Sequence, residues 1–221
     1  DLANSLQPDV TVVIGDLVNS KSEVLAPYME VLGKLEAKYG VFASTGNHDH
    51  GDYHRWGSKE RKIRDFEDLL QMERQMGWTV LKDEHHIIDQ GGAKLALIGI
   101  QNWSARGRFK SYGDLSKATA DLPIVDARVL LSHDPSSWDA LIRTDFPEID
   151  LTLSGHTHGA QFGVENKLFR WSPAKIFYPQ WAGLYQEGKQ FLYVNRGFGF
   201  IGYPGRVGIL PEVAEITLRK A

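Results

Sequence analysis

Apolar residues recur along this chain in two rhythms, and the switch between them marks its elements. Val10–Ile14 is a continuous β-branched run that stops at Gly15, the pattern of a buried strand opening into a loop. Glu23–Lys38 places Leu25, Tyr28, Met29, Leu32 and Leu35 at helical intervals and gives way to Gly40, which predicts an amphipathic helix with Lys38 in its last turn. Val41–Ser44 predicts a second short strand. Ser58 opens a charged amphipathic helix that runs to about Met76 and stops at Gly77. Trp78–Leu81, His85–Asp89 and Lys94–Ile100 predict strands, the last two joined as a hairpin at Gly91-Gly92. Val129–Ser132 and Leu151–Leu153 are short apolar runs, and Phe191–Asn195 and Val213–Leu218 predict late strands. Strands alternating with helices early, then a strand-rich second half, predict an α/β fold whose sheets are covered by helices.

Four of the apolar runs end at once in a polar cluster. The clusters are Gly15-Asp16, Gly46-Asn47-His48-Asp49, Ser132-His133-Asp134 and Gly155-His156-Thr157-His158-Gly159. Ligands of α/β folds collect beyond the carboxyl ends of strands, so four such ends can converge on one site.

Composition removes several alternatives. The chain has 221 residues, enough for one well-buried domain. It has no cysteine, which excludes disulfides and thiolate metal sites. A net charge of −3 without a dense basic run gives no footprint for nucleic acid. No apolar run reaches the roughly 18 to 20 residues that span a bilayer. The chain begins at Asp1, and residues 1–221 are expected to form a single catalytic domain truncated at its N-terminus.

The clusters offer carboxylate, amide and imidazole groups. Such oxygen and nitrogen donors suit Mn, Zn, Fe or Ni. Their glycines allow sharp turns and close approach. A carboxylate such as Asp16 can bridge two cations, which two-metal hydrolases hold about 3.5–4 Å apart. Taken singly, a Gly-Asp such as Gly15-Asp16 is usually a plain turn, and a lone histidine such as His133 is more often structural than catalytic. Gly46-Asn47-His48-Asp49 is more telling, since four polar loop residues after a β run pack nothing. In Gly155-His156-Thr157-His158-Gly159, alternate residues of an extended segment point the same way, so His156 and His158 can face one metal.

In this order the four clusters resemble the signature of calcineurin-like metallophosphoesterases, and the likeness covers nearly the whole chain. Asn102-Trp103, His133-Asp134-Pro135-Ser136, Trp181-Ala182-Gly183-Leu184-Tyr185 and Val194-Asn195-Arg196-Gly197 resemble a narrower branch, the bacterial, often membrane-anchored YaeI/YkuE-type phosphodiesterases. The resemblance implies a four-layer fold, a sandwich of two mixed sheets flanked by helices with two divalent metals above the strand ends. It implies Asp16 as the bridging carboxylate, Asn47, His133 and His156 completing one metal site, and His158 in the other. His48 would contact the phosphate and assist the leaving oxygen, with Asp49 fixing its ring through a hydrogen bond. The implied reaction is metal-dependent hydrolysis of a phosphate ester, a phosphodiester or lipid-linked pyrophosphate. A nucleotide or phosphoprotein phosphatase and a ligand-depleted binding module are the rival readings. The family begins with an Asp-x-His motif ahead of Gly-Asp, and nothing before Asp16 supplies it. Asp83-Glu84-His85 has that spacing, but it follows two of the other motifs and is read as a decoy.

Other features stay open. His50 and His54 could line the substrate mouth or lie in a polar surface loop, and His85-His86 are read as strand residues facing opposite ways. Arg106, Arg108 and Lys110 could meet an anionic substrate or solvent. The aromatic stretch 169–204 is either a cap packed on the sheet edge or an interfacial patch making peripheral membrane contact. The native protein would then be anchored to a bacterial membrane through an upstream segment.

Overall fold

A computed structural model describes residues 1–166 and 169–219. Its strands are β1 (Thr11–Ile14), β2 (Val41–Ser44), β3 (Thr79–Val80), β4 (Glu84–Gln90), β5 (Ala93–Gly99), β6 (Ala127–Leu131), β7 (Leu151–Ser154), β8 (Val164–Glu165), β9 (Arg170–Trp171), β10 (Gly183–Glu187) and β11 (Gln190–Val194). The α-helices that concern the site are α1 (Leu2–Ser5), α2 (Met29–Leu32), α3 (Lys59–Gln75) and α4 (Leu115–Ala118).

Strands β1, β2 and β3 form a parallel sheet in that order. The second sheet runs β10-β11-β7-β6-β5-β4, parallel through its four central strands and antiparallel at both edge hairpins. Side chains alternate across each strand, and that alternation builds three apolar layers. Val12, Ile14 and Phe42 face Leu97, Val129, Leu131, Leu151 and Leu153 between the sheets. Val13, Val41 and Ala43 point the other way, onto Leu69 and Leu70 of α3. Ala96, Ile98 and Leu130 leave the second sheet outward, against Leu115, Trp138 and Ile142. Helix, sheet, sheet and helix layers follow one another, as the resemblance implies.

Helix α3 starts where the pattern places it: the Ser58 side chain accepts a hydrogen bond from the Arg61 backbone N–H, an N-cap. Two sequence expectations fail. Glu23–Lys38 is not one helix but two short 3₁₀ turns, Ser22–Val24 and Ala26–Tyr28, followed by the single turn α2. Pro27 has no N–H to donate, and the helical turn ends at Gly33. Val213–Leu218 alternates like a strand but pairs with no strand among the described residues, and Val213, Ile216 and Leu218 stay exposed. Strand β10 and the β8–β9 hairpin have no counterpart in the sequence reading.

Candidate metal centre

Each of the four polar clusters follows a carboxyl end, two from each sheet: Asp16 after β1 and Asn47 after β2, His133 after β6 and His156 with His158 after β7. Asp16, Asn47, His48, His156 and His158 line one cavity of about 790 Å³. His133 stands behind it, its Nε2 3.0 Å from Asp16 Oδ2. One ligating atom from each of Asp16, His133 and His156 falls within 4.8 Å of the others.

The two loops of the first sheet approach too closely for side chains. A Cβ on Gly46 would sit 2.2 Å from Asp16 Oδ1, and one on Gly15 would sit 2.1 Å from the Gly46 nitrogen. Asp16, His156 and His158 adopt left-handed backbone, with φ of 55°, 68° and 50°, a conformation that costs energy outside glycine. This corrects the extended geometry expected for Gly155–Gly159. Left-handed turns at His156 and His158 flank an αR Thr157, so the chain curls. The Thr157 hydroxyl donates to the Trp181 carbonyl, while both histidines line the cavity.

Donor atoms are freed toward the cavity by what binds the rest of each side chain. The Asn47 Nδ2 donates to the Tyr53 hydroxyl at 2.8 Å, leaving Oδ1 buried without a partner. His133 donates from Nδ1 to the Ile14 carbonyl at 2.5 Å, because a carbonyl only accepts, which turns Nε2 toward Asp16. Nδ1 of His156 and Nδ1 of His158 are likewise buried without hydrogen bonds. Behind His156, Nε2 lies 3.8 Å from Asp134, whose carboxylate accepts from the Tyr178 hydroxyl at 3.1 Å. Unpartnered buried polar atoms are costly, and three of them, with His133 Nε2 beside the Asp16 carboxylate, fit divalent cations.

Electrostatics agree with that fit at His156 and His158, while at His133 a metal would have to displace a proton that Asp16 holds. Burial opposes ionisation of Asp16, yet His133 overcomes it and holds the carboxyl well below its usual range. Burial lowers His133, but the charge and hydrogen bond of Asp16, with the Ile14 carbonyl and Asp49, together outweigh it and raise the ring to about 9. Burial, then neighbouring His133, pushes His156 down to about 4, and burial chiefly does the same to His158. Neutral imidazoles are the form that binds metal.

Asp49 does not orient His48. Its carboxylate accepts from the backbone N–H groups of Asp16 (2.7 Å), Leu17 (2.9 Å), Gly46 (2.7 Å) and Val18 (3.4 Å), tying the β1 and β2 loops together. Four backbone N–H donors occupy both carboxylate oxygens in a buried place. Burial and the Asp16 charge raise its carboxyl to about 7 against those bonds. The His48 ring is fixed instead by the Asn19 carbonyl, 2.7 Å from Nδ1, and by the Tyr53 ring at 4.3 Å.

The remaining candidates separate. His50 is buried and stacked between Phe66 and Tyr112, so it lines no mouth, and His54 packs edge-on against Trp56. His85 bonds the Ala118 carbonyl and His86 meets Phe42, on opposite faces of β4. Asp83 is occupied by Gln101 and the Asp114 N–H, away from the cavity. Arg108 lines the cavity, as does Phe109, whose ring meets His156 at 4.8 Å. The aromatic stretch divides: Tyr178 and Trp181 are buried, whereas Phe198, Phe200 and Tyr203 are exposed. Tyr53 and Phe109 were missed, although Tyr53 lies only six residues after Asn47.

The calcineurin-like phosphoesterase family matches residues 1–160. A Bos taurus transmembrane protein with metallophosphoesterase domain is 31% identical, over 100% of this chain and 48% of the relative. The uncharacterized metallophosphoesterase YkuE of Bacillus subtilis (strain 168) is 30% identical, over 98% of this chain and 70% of the relative. The chain spans about half the length of several curated relatives it matches. A Staphylococcus aureus structure provisionally named a 5′-nucleotidase superposes with a TM-score of 0.50 at 13% identity, covering 86% of this chain and 40% of that one, a likeness of fold alone. Among the described residues no helix is long and apolar enough to cross a membrane.

Proposed function

The chain belongs to the calcineurin-like phosphoesterase family, and from that premise we propose that it hydrolyses phosphate esters at a two-metal centre. Asp16 would bridge the ions, Asn47, His133 and His156 would complete one site, and His158 would serve the other. The observation that carries this is the set of buried, unpartnered donor atoms on Asn47, His156 and His158 in the cavity of Asp16, with His133 Nε2 held against the Asp16 carboxylate behind it. Divalent cations bound there supply a nucleophile at neutral pH and neutralise charge on the phosphoryl oxygens. His48, with Nδ1 held by Asn19, keeps Nε2 as the ring atom that exchanges a proton with the leaving oxygen. Asp49 acts through the backbone, fixing the two loops that carry Asp16 and Asn47. Asp134 stands behind His156 as an orienting carboxylate.

The substrate proposed is a phosphodiester or a lipid-linked pyrophosphate. Support for an apolar substituent comes from the cavity rim, where Phe162, Ile201, Tyr203 and Val207 share a wall with His158 and are exposed. The same rim favours peripheral contact with a lipid surface, in a protein anchored to a bacterial membrane.

The test is metal content per chain after chelator-free purification, with hydrolysis of bis-p-nitrophenyl phosphate, p-nitrophenyl phosphate and vesicle-borne farnesyl pyrophosphate. About two ions, diester turnover lost to chelator, and faster cleavage of the vesicle-borne substrate are expected. No metal and no turnover of any of the three would overturn the catalytic reading and favour a binding module. Turnover of the monoester alone would favour a nucleotide or phosphoprotein phosphatase.

A further inference from the structure

A second cavity, of about 590 Å³, adjoins the first and shares Arg108 as a common wall. Arg106, Ser136, Phe177, Tyr178 and Gln180 also line it. One layer of rings separates it from the metal ligands, since Tyr178 lies 5.3 Å and Phe109 4.8 Å from the His156 ring.

Its two arginines are held in place without being neutralised. The Arg106 guanidinium lies 4.6 Å from the Tyr178 ring centre, and that of Arg108 lies 4.6 Å from Phe109 and 6.0 Å from Phe177. The loop that carries them is clamped: Ala105 N–H donates to Ser136 Oγ, Arg106 N–H to Ser104 Oγ, and Asn102 Nδ2 to the Lys110 carbonyl. Lys110, on the same loop, already pairs with Asp52, as Arg143 does with Asp139 and Arg196 with Glu212. Among the described residues no carboxylate forms an ion pair with Arg106 or Arg108. The acidic group in the cavity wall, Asp139, is taken by Arg143 and Gln180. Arg106 Nε is moreover buried with no acceptor, a donor that the folded chain leaves unanswered.

Planar guanidinium groups stacked on aromatic rings and short of a counter-ion are suited to phosphate. We propose that this cavity binds a second phosphate of the substrate, with Arg106 selecting for substrates that carry one beyond the phosphate being cleaved. The inference rests on the phosphoesterase reading for where the first phosphate sits. Arg108 would touch both groups, whereas Arg106 reaches only the second.

A matched pair of nucleotides tests it. Binding of thymidine 3′,5′-bisphosphate and of thymidine 5′-monophosphate to the metal-loaded chain is measured by calorimetry, for wild type and Arg106→Gln. Hydrolysis of thymidine 5′-(p-nitrophenyl phosphate) and of its 3′-phosphorylated counterpart is followed by released nitrophenolate. Wild type should favour the doubly phosphorylated member by about tenfold in affinity and in kcat/KM, the scale of one charge-assisted bond. Arg106→Gln should erase that preference and leave turnover of bis-p-nitrophenyl phosphate unchanged. Equal affinities in wild type, or a preference that survives Arg106→Gln, would overturn the second site while any ester turnover still supports the phosphoesterase reading. An Arg106-dependent affinity without turnover of any ester would keep the second site and sink that reading.

Discussion

The Asn47 amide offers the cavity its oxygen because Tyr53 has claimed its nitrogen, and the same logic sets the rings of His48 and His133. The side chain named in a motif binds whichever neighbour the fold brings nearest, and its free atom is what remains. That is why Asp49 and His48, adjacent in sequence, are expected to behave differently on substitution. Asp49→Asn puts an amide where four backbone N–H groups need acceptors, and should cost about 2–3 kcal/mol of stability, seen as a lower melting temperature with metal lost as well. His48→Asn should leave melting and metal content nearly unchanged while kcat for the diester falls about 10²- to 10³-fold. Equal melting losses in the two variants would contradict this division. At this scale the sequence told which residues to watch: Asp16, Asn47, His48, His156 and His158 do line one cavity. It could not tell what each would bind, since Asn19, Tyr53 and Ile14 carry no motif, and a bond to a distant carbonyl leaves no periodicity.

Among the elements, α3 hides a charge. Its Glu73 is 1% exposed and neither carboxylate oxygen has a partner. Burial, with the Asp49 charge next, pushes its pKa well above 4.5. A group whose folded pKa exceeds its unfolded one binds its proton more tightly in the fold, so its penalty is absent below the unfolded value and grows as pH rises through the folded one. Glu73→Gln should therefore raise the melting temperature at pH 8 by about 2–4 °C for each kcal/mol recovered. The gain should shrink toward zero near pH 4.5, and a gain independent of pH would refute the cause. Helix α3 itself was readable because Ser58, its apolar stripe and Gly77 agree. Glu23–Lys38 misled because the apolar spacing is present but Pro27 withholds a backbone donor, and period alone outranked it. Strand β10 was missed since Gly183–Glu187 gains its order from pairing with β11, not from an apolar run of its own.

Across the whole molecule, the proposed donors come from opposite sheets, with Asp16 and Asn47 on one and His133, His156 and His158 on the other. An ion seated among them would be a rivet through the sandwich. The gap it would close is spanned, among the described residues, by side-chain packing, by the bond from His133 to the Ile14 carbonyl and by the His133–Asp16 pair. Tightness of the fold and supply of the ion then become one quantity: at a hundredfold excess over its dissociation constant the ion adds about 2.7 kcal/mol. Melting measured against free metal should climb logarithmically, and His133→Ala, which removes one side of the rivet, should flatten the climb. A protein fastened in this way reports metal scarcity first as looseness and only afterwards as lost turnover.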